Sequence, residues 1–114
     1  MQVAFIVLNK TDRLDELLKE FVNIGIKGAT ILDSMGMGGF LVSSESEGVP
    51  FFSTLRMMLN EGKPLNKTIF SVIEDEQVSA LVKVFETVVG ALNKPNTGII
   101  FTMPINYVKG GELK

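Results

Sequence analysis

The chain of 114 residues contains no cysteine, no histidine and no tryptophan. Without cysteine it has no disulfide framework and no thiolate nucleophile, and without both residue types it lacks the common zinc ligands. The absence of histidine also excludes Ser-His-Asp catalysis. These absences remove most familiar enzyme classes, so we expect a protein that is not an enzyme and that works in the reducing cytoplasm.

Positive charge is also scarce. The chain has 11 lysine and arginine residues and 13 aspartate and glutamate residues, which gives a formal net charge of -2. Proteins that hold nucleic acid phosphates normally carry a basic surface, so DNA and RNA are not expected as partners. The apolar start, residues 1–8, lacks a basic leader and is too short for a membrane span. The length predicts one domain, residues 1–114.

Two parts of the chain follow the same order of strand, helix and strand. The four predicted strands are residues 2–8, 27–33, 68–73 and 98–103. Apolar residues at helical spacing predict a helix within each unit, ending at Gly25 and Gly90. We expect Thr11 or Asp12 to cap the first helix and Glu74 or Asp75 to cap the second. The apolar residues that line one side of each predicted helix are called its stripe. Four stripe positions of the first helix match stripe positions of the second at one constant distance in sequence: Leu14 with Val78, Leu17 with Leu81, Leu18 with Val82, and Phe21 with Phe85.

Two β-α-β units in a short chain predict a ferredoxin-like α+β sandwich, with an antiparallel four-stranded sheet and both helices on one face. The other face then has no cover from its own chain. Apolar residues nevertheless alternate onto both faces of the first strand: Val3, Phe5 and Val7 on one side, Ala4, Ile6 and Leu8 on the other. Each large side chain left in water forgoes about 1.5 to 3 kcal/mol, so we expect an obligate homo-oligomer assembled through the sheet.

A long central loop, residues 34–67, joins the two units. It begins with a glycine-rich exit from the strand, continues as a polar segment expected to be mobile, and carries helical spacing that predicts a short helix at residues 50–60. Phe51, Phe52, Leu55, Met58 and Leu59 recur at this spacing, and the first four are the candidate partner-binding residues. They fit a flap that packs on the same or a neighbouring subunit, and they also fit a surface that binds a partner protein.

Gly-Ala-Thr-Ile at residues 28–31 leads into Gly-Met-Gly at residues 36–38, and Thr-Gly-Ile-Ile-Phe follows at residues 97–101. These motifs, their spacing and the order of the elements resemble the PII-type nitrogen-regulatory proteins. The resemblance implies a ferredoxin-like homotrimer that is a signal transducer rather than an enzyme. It also implies clefts between subunits that bind adenine nucleotides and a long loop that docks onto regulated proteins.

The resemblance also implies roles for individual residues. Thr30 and Val72 correspond to positions at the adenine base. Backbone from Gly36, Met37 and Gly38 approaches the nucleotide, whereas the loop containing Asn96 and Gly98 approaches the phosphates from the neighbouring subunit. Apart from the resemblance, Lys94 lies in the same loop beside a proline and several backbone donors; the segment fits the binding of a small anion and equally fits a plain loop.

The sequence departs from the family at its charged positions. Ile99 replaces the lysine that follows the loop glycine, and Gly110 and Glu112 lie near the two arginine positions. Each lost contact is worth about 1.5 to 3 kcal/mol, so we expect weak triphosphate binding or none. Gly39 and Phe40 stand where the family places a glutamine for magnesium and 2-oxoglutarate, so metal-dependent sensing of 2-oxoglutarate is not expected.

Other interpretations remain beside this one. The main alternative is an assembly or adaptor module of the same fold without a small ligand. A CutA-like protein that binds Cu(I) through methionine thioethers is a further one. These methionines are Met35, Met37, Met57 and Met58. A dinucleotide fingerprint is disfavoured at residues 36–39, because the third glycine is misplaced and no helix is predicted to begin there. The leading hypothesis is a PII-like regulator that responds to an adenine nucleotide or another small anionic metabolite.

Overall fold

The computed structural model describes residues 1–43 and 65–111. Its strands are β1 (Gln2–Leu8), β2 (Thr30–Met35), β3 (Leu65–Ile73) and β4 (Gly98–Pro104), and its helices are α1 (Leu14–Asn23), α2 (Met37–Ser43) and α3 (Gln77–Val88). The strands form one antiparallel sheet in the order β2-β3-β1-β4. This is a ferredoxin-like α+β arrangement and confirms the predicted fold class.

The core lies between the sheet and the two long helices. The stripes are confirmed at their centres, because Leu17 and Phe21 of α1 and their counterparts Leu81 and Phe85 of α3 are all buried. The strands contribute alternate residues to the same core: Ala4, Ile6, Leu8, Ile69 and Ile73. In the two described stretches, no helix is both long enough and apolar enough to cross a bilayer.

The first long helix ends at the predicted glycine. Gly25 has a φ of +89°, its N–H donates to the Val22 carbonyl over 3.0 Å, and the Ile26 N–H donates to the Phe21 carbonyl over 2.9 Å. This pair of bonds is a Schellman motif, which needs a residue that tolerates the left-handed conformation. The predicted stop is confirmed, and the turn fixes the path of the chain into β2.

The predicted N-terminal caps are wrong. A 3₁₀ turn at Thr11–Arg13 precedes α1, and neither α1 nor α3 has a side-chain cap. Asp75 instead accepts hydrogen bonds from the amine of Met1 over 3.0 Å and from Gln2 Nε2 over 3.1 Å. The amine lowers the pKa of Asp75 by hydrogen bonding, and the same bond raises the pKa of the amine. The Met1 amine, immediately before β1, therefore replaces the helix backbone as the partner of this carboxylate.

Arg13 links the start of α1 to the end of α3. Its Nε and Nη2 atoms donate to the Val88 carbonyl over 3.1 and 2.9 Å, which satisfies an unpaired carbonyl at the negative end of the helix. We expect Arg13→Met to lower the free energy of unfolding by about 1 to 2 kcal/mol, as measured by urea denaturation. Lys19→Met, which removes only an exposed ion pair with Asp15, should cost less than about 0.5 kcal/mol. Equal effects of the two substitutions would contradict this assignment.

The connection between the units is shorter and more structured at its ends than predicted. Strand β2 continues to Met35, and β3 begins at Leu65 rather than at residue 68. The glycine-rich segment is not a flexible exit, because α2 begins at Met37 and the Phe40 N–H donates to the Gly36 carbonyl over 2.9 Å. Helix propensity did not predict α2, because this segment is rich in glycine and glycine is disfavoured inside helices. The predicted helix at residues 50–60 lies outside the described residues.

Candidate functional site

The side of the sheet opposite α1 and α3 carries a continuous apolar surface, here called the open face. Its members alternate with the core residues along the four strands: Val3, Phe5, Val7, Leu32, Phe70, Val72, Ile99, Phe101 and Met103. Ile99 and Phe101 on β4 remain 54% and 45% exposed. The prediction that both faces of the sheet are apolar is confirmed.

Three phenylalanine rings cross the centre of the open face in one row. Register places Phe70, Phe5 and Phe101 opposite one another on three neighbouring strands. The centroid of the Phe5 ring lies 5.9 Å from that of Phe70 and 5.0 Å from that of Phe101, where the two rings are stacked. Such contacts between aromatic rings fix their positions, so the centre of the open face is a preformed apolar platform.

A row of polar side chains closes one end of the open face. The members of this polar row are Asn9, Ser34, Asn66 and Thr68. The Ser34 hydroxyl donates to Asn66 Oδ1 and lies 2.7 Å from the Thr68 hydroxyl, while Asn66 Nδ2 donates to Asn9 Oδ1 over 3.3 Å. Because these groups satisfy one another, they are tolerated beside apolar strands.

Two of the predicted ligand-binding residues lie together beside the phenylalanine row. Thr30 is the first residue of β2 and is directly opposite Phe70, and Val72 lies two residues further along β3 on the same face. Diagonal neighbours of this kind are about 7 to 8 Å apart. Both side chains are exposed, so the surface that the resemblance assigns to an adenine base is formed within one chain.

The other predicted residues lie at the end of the sheet that carries the polar row, in two separate groups. Gly36, Met37 and Gly38 follow β2 at one edge, and the loop containing Lys94 and Asn96 leads to Gly98 at the other edge. Strands β3 and β1 lie between them, a separation of about 14 Å at the usual strand spacing. One chain does not bring the two groups into contact.

The polar row connects these two groups across the sheet. A Cβ atom placed on Gly36 would lie 3.9 Å from Asn66 Nδ2, so this glycine packs beside the row. At the far end the Asn9 N–H donates to the Thr97 carbonyl over 3.5 Å, immediately before Gly98. The candidate site is therefore a polar border on the open face, with a glycine-containing segment at each end.

Gly98 has a structural role that the sequence did not reveal. Its φ is +148°, and an added Cβ would lie 2.4 Å from the Val7 carbonyl oxygen and 3.1 Å from Phe85 Cζ. Close approach of the β4 backbone to β1 and to the core therefore requires glycine here. Gly98 is needed by the fold whether or not a ligand binds beside it.

The candidate site offers little positive charge. Lys94 is exposed and makes no ion pair within residues 1–43 and 65–111. Lys10 lies at the same end of the sheet, but its Nζ atom is directed to the Val89 carbonyl at 3.5 Å. Ile99, which stands where the resemblance expects lysine, instead extends the open face. The described residues at this end of the sheet therefore offer few of the cationic groups that hold a triphosphate.

Sequence reasoning missed the polar row. Asn66, Thr68 and Phe70 are spaced two residues apart along one strand and so share a face, which was the available signal. Their joint contact with Ser34 and Asn9 depends on strand register, which the pattern did not supply.

Other sequence-based predictions fall partly or wholly outside the described residues. The predicted partner-binding residues Phe51, Phe52, Leu55 and Met58 lie there, so they stay predictions. Of the methionines considered for Cu(I), Met35 and Met37 are exposed near the end of β2, and the other two are not described. Across the described residues, no three acidic side chains converge on a possible metal position.

The resemblance to PII proteins rests on the sequence motifs at residues 28–31, 36–38 and 97–101. A comparison with models of known protein families found no matching family, and a comparison with curated proteins found no matching relative.

Proposed function

We propose that the protein is a non-enzymatic, PII-like regulator of the cytoplasm that works as a homotrimer. In this proposal the open faces of the subunits pack together. The segment at Gly36 to Gly38 of one subunit lies against the loop at Asn96 to Gly98 of the next. A small anionic metabolite, such as an adenine nucleotide, binds between them and changes how the central loop engages a regulated protein.

The observation that carries this proposal is the open face with its polar border. Nine apolar side chains form one surface on a sheet whose other side is already covered by helices. Burying such a surface in a symmetric oligomer stabilises the assembly by about 25 cal/mol for each Å² removed from water. The polar row would then border the interface, where its glycine-containing ends from two subunits can approach one another.

Isothermal titration calorimetry with ATP, ADP, AMP and cyclic adenine nucleotides tests the ligand part. We expect saturable binding of at least one of them, weakened roughly 10- to 100-fold by Lys94→Met because a charge-assisted contact is lost. Lys83→Met, which removes an exposed lysine from α3, is the matched control and should leave binding unchanged. If none of these nucleotides gave a binding signal, an adenine nucleotide would be excluded as the ligand, and the assignment of the fold would be unaffected.

A second function is favoured by the exposed side chain of Ile99. An isoleucine at this position removes a phosphate contact and enlarges the apolar surface by a residue that is 54% exposed. This exchange suits an assembly or adaptor module without a small ligand. If the oligomer forms but no nucleotide binds, pull-down of partner proteins by the full chain and by a variant without residues 40–63 distinguishes an adaptor from a purely structural module.

A further inference from the structure

A groove lies on the helix side of the sheet, between α1 and the segment that leads into β2. Ile31 pairs with the buried Ile69, so its side chain belongs to the helix side rather than to the open face. The apolar residues of the groove are Leu18, Phe21 and Val22 of α1 with Ile26 and Ile31. Its volume is about 200 Å³. An apolar cavity of about 150 Å³ holds benzene, so this groove accommodates an apolar group of about six to eight carbon atoms.

The apolar wall of the groove is accessible to a ligand. Val22 and Ile31 remain 56% and 40% exposed, whereas the neighbouring Phe21 and Ile26 are buried. Covering exposed carbon with the apolar chain of a ligand is favourable in proportion to the area removed from water. The groove therefore favours a molecule with an apolar part of limited length.

Hydrogen bonds hold one side of the groove in place. The Schellman turn at Gly25 fixes the chain after α1, and Gln77 Nε2 donates to the Ile24 carbonyl over 3.4 Å. Further along, the Ser71 hydroxyl donates to the Gly28 carbonyl and anchors this segment to β3. A groove that is formed before the ligand arrives reduces the ordering cost of binding.

Lys27 gives the groove a positive charge. It is the one charged residue among the described residues that line the groove, and it makes no ion pair within residues 1–43 and 65–111. The backbone N–H groups of the next two residues, Gly28 and Ala29, donate to no acceptor in those two stretches. Both residues are exposed and line the groove. An anionic group beside this segment would therefore meet an ammonium group and backbone donors that are not already in use.

We propose that the groove is a binding site for a small amphipathic carboxylate, such as a medium-chain fatty acid. The apolar chain of the ligand lies against Val22 and Ile31, and its carboxylate contacts the ammonium group of Lys27. None of the residues that line the groove belongs to the open face or to the polar row. The site is therefore separate from the proposed function and does not rest on it.

Titration of the isotope-labelled protein with sodium octanoate, followed by two-dimensional NMR, tests the proposal. We expect saturable shifts of backbone amides in residues 18–31, without comparable shifts in β4 at the far edge of the sheet. Each methylene group contributes roughly a factor of four to affinity, so hexanoate should bind roughly tenfold more weakly. Octylamine has the same chain with the opposite charge, and it should also bind roughly tenfold more weakly or not at all.

Substitution of Lys27 separates the charged contact from the apolar one. Lys27→Gln should weaken the binding of octanoate roughly five- to tenfold and leave the binding of the neutral analogue octanol unchanged, because only the carboxylate contacts the lysine. Lys83→Gln, which removes an exposed lysine from α3, is the matched control and should leave octanoate binding unchanged. Val22→Glu places a carboxylate on the wall of the groove and should weaken octanoate binding roughly tenfold or more.

Three results would overturn the proposal. The first is the absence of saturable shifts in residues 18–31 up to about 10 mM octanoate. The second is equal binding of octanoate by the wild type and Lys27→Gln, because the groove would then not select a carboxylate. The third is a change in oligomeric mass caused by Val22→Glu, because the groove would then be covered by a second copy of this chain. Phe101→Glu, which alters only the open face, should retain octanoate binding, so failure of this site and failure of the proposed assembly are distinguishable.

Discussion

Replacing Phe101 with glutamate is expected to give a folded monomer at concentrations where the proposed wild-type oligomer is expected to form. The ring is 45% exposed and stacks on Phe5 near the centre of the open face. In the proposed assembly this position is buried away from water, and an unpaired carboxylate there makes the free energy of association less favourable by several kcal/mol. We expect the dissociation constant to rise roughly 100-fold or more, which sedimentation equilibrium measures directly.

The matched control is Val22→Glu, which also adds a carboxylate at a half-exposed apolar position, but on the helix side. It should leave the oligomeric mass unchanged, while circular dichroism should show native helix and sheet content for both variants. If Phe101→Glu kept the wild-type mass, the open face would not be the surface through which the subunits assemble.

Gly98→Ala is expected to be among the most destabilising single-methyl additions in the chain. The new Cβ would lie 2.4 Å from the Val7 carbonyl oxygen, which cannot move without disturbing the pairing of β1 with β4. The unfavourable φ of +148° adds to this steric cost. Together the two effects should lower the free energy of unfolding by about 3 kcal/mol and the midpoint of thermal unfolding by roughly 10 to 20 °C.

Gly110→Ala separates the steric cost from the cost of backbone conformation. Gly110 also has a positive φ, +91°, but no atom of residues 1–43 and 65–111 lies within 4 Å of an added Cβ. Its replacement should cost about 1 kcal/mol or less. Equal losses of stability in the two variants, measured by thermal and urea denaturation, would show that crowding against β1 is not the reason for glycine at position 98.

The fold was predictable because burial imposes simple periods on the sequence. The spacing of Leu17 and Phe21, repeated in Leu81 and Phe85, placed two helices on one face of the sheet, and alternation along β1 showed that its other face is apolar too. Helix starts were less predictable, since they depend on tertiary partners. Asp75 is bound by the amine of Met1 rather than by a helix backbone, and no local pattern reveals this.

The candidate site was predictable only in part. Thr30 and Val72 were named only through the resemblance; Val72 lies on the same face as Phe70 by the period of a strand, whereas Thr30 lies opposite Phe70 through register. The polar row was missed, because Asn9 and Asn66 come together only through the register of distant strands. The groove beside β2 was missed for a similar reason, as it depends on how far the helices extend over the sheet.

The most direct test of the account is the mass of the wild-type protein in solution. Sedimentation equilibrium at micromolar concentration should give the mass of three chains, because the open face would then be removed from water. A stable, folded monomer under those conditions would contradict the account, since the apolar surface on which the proposed assembly depends would be compatible with water.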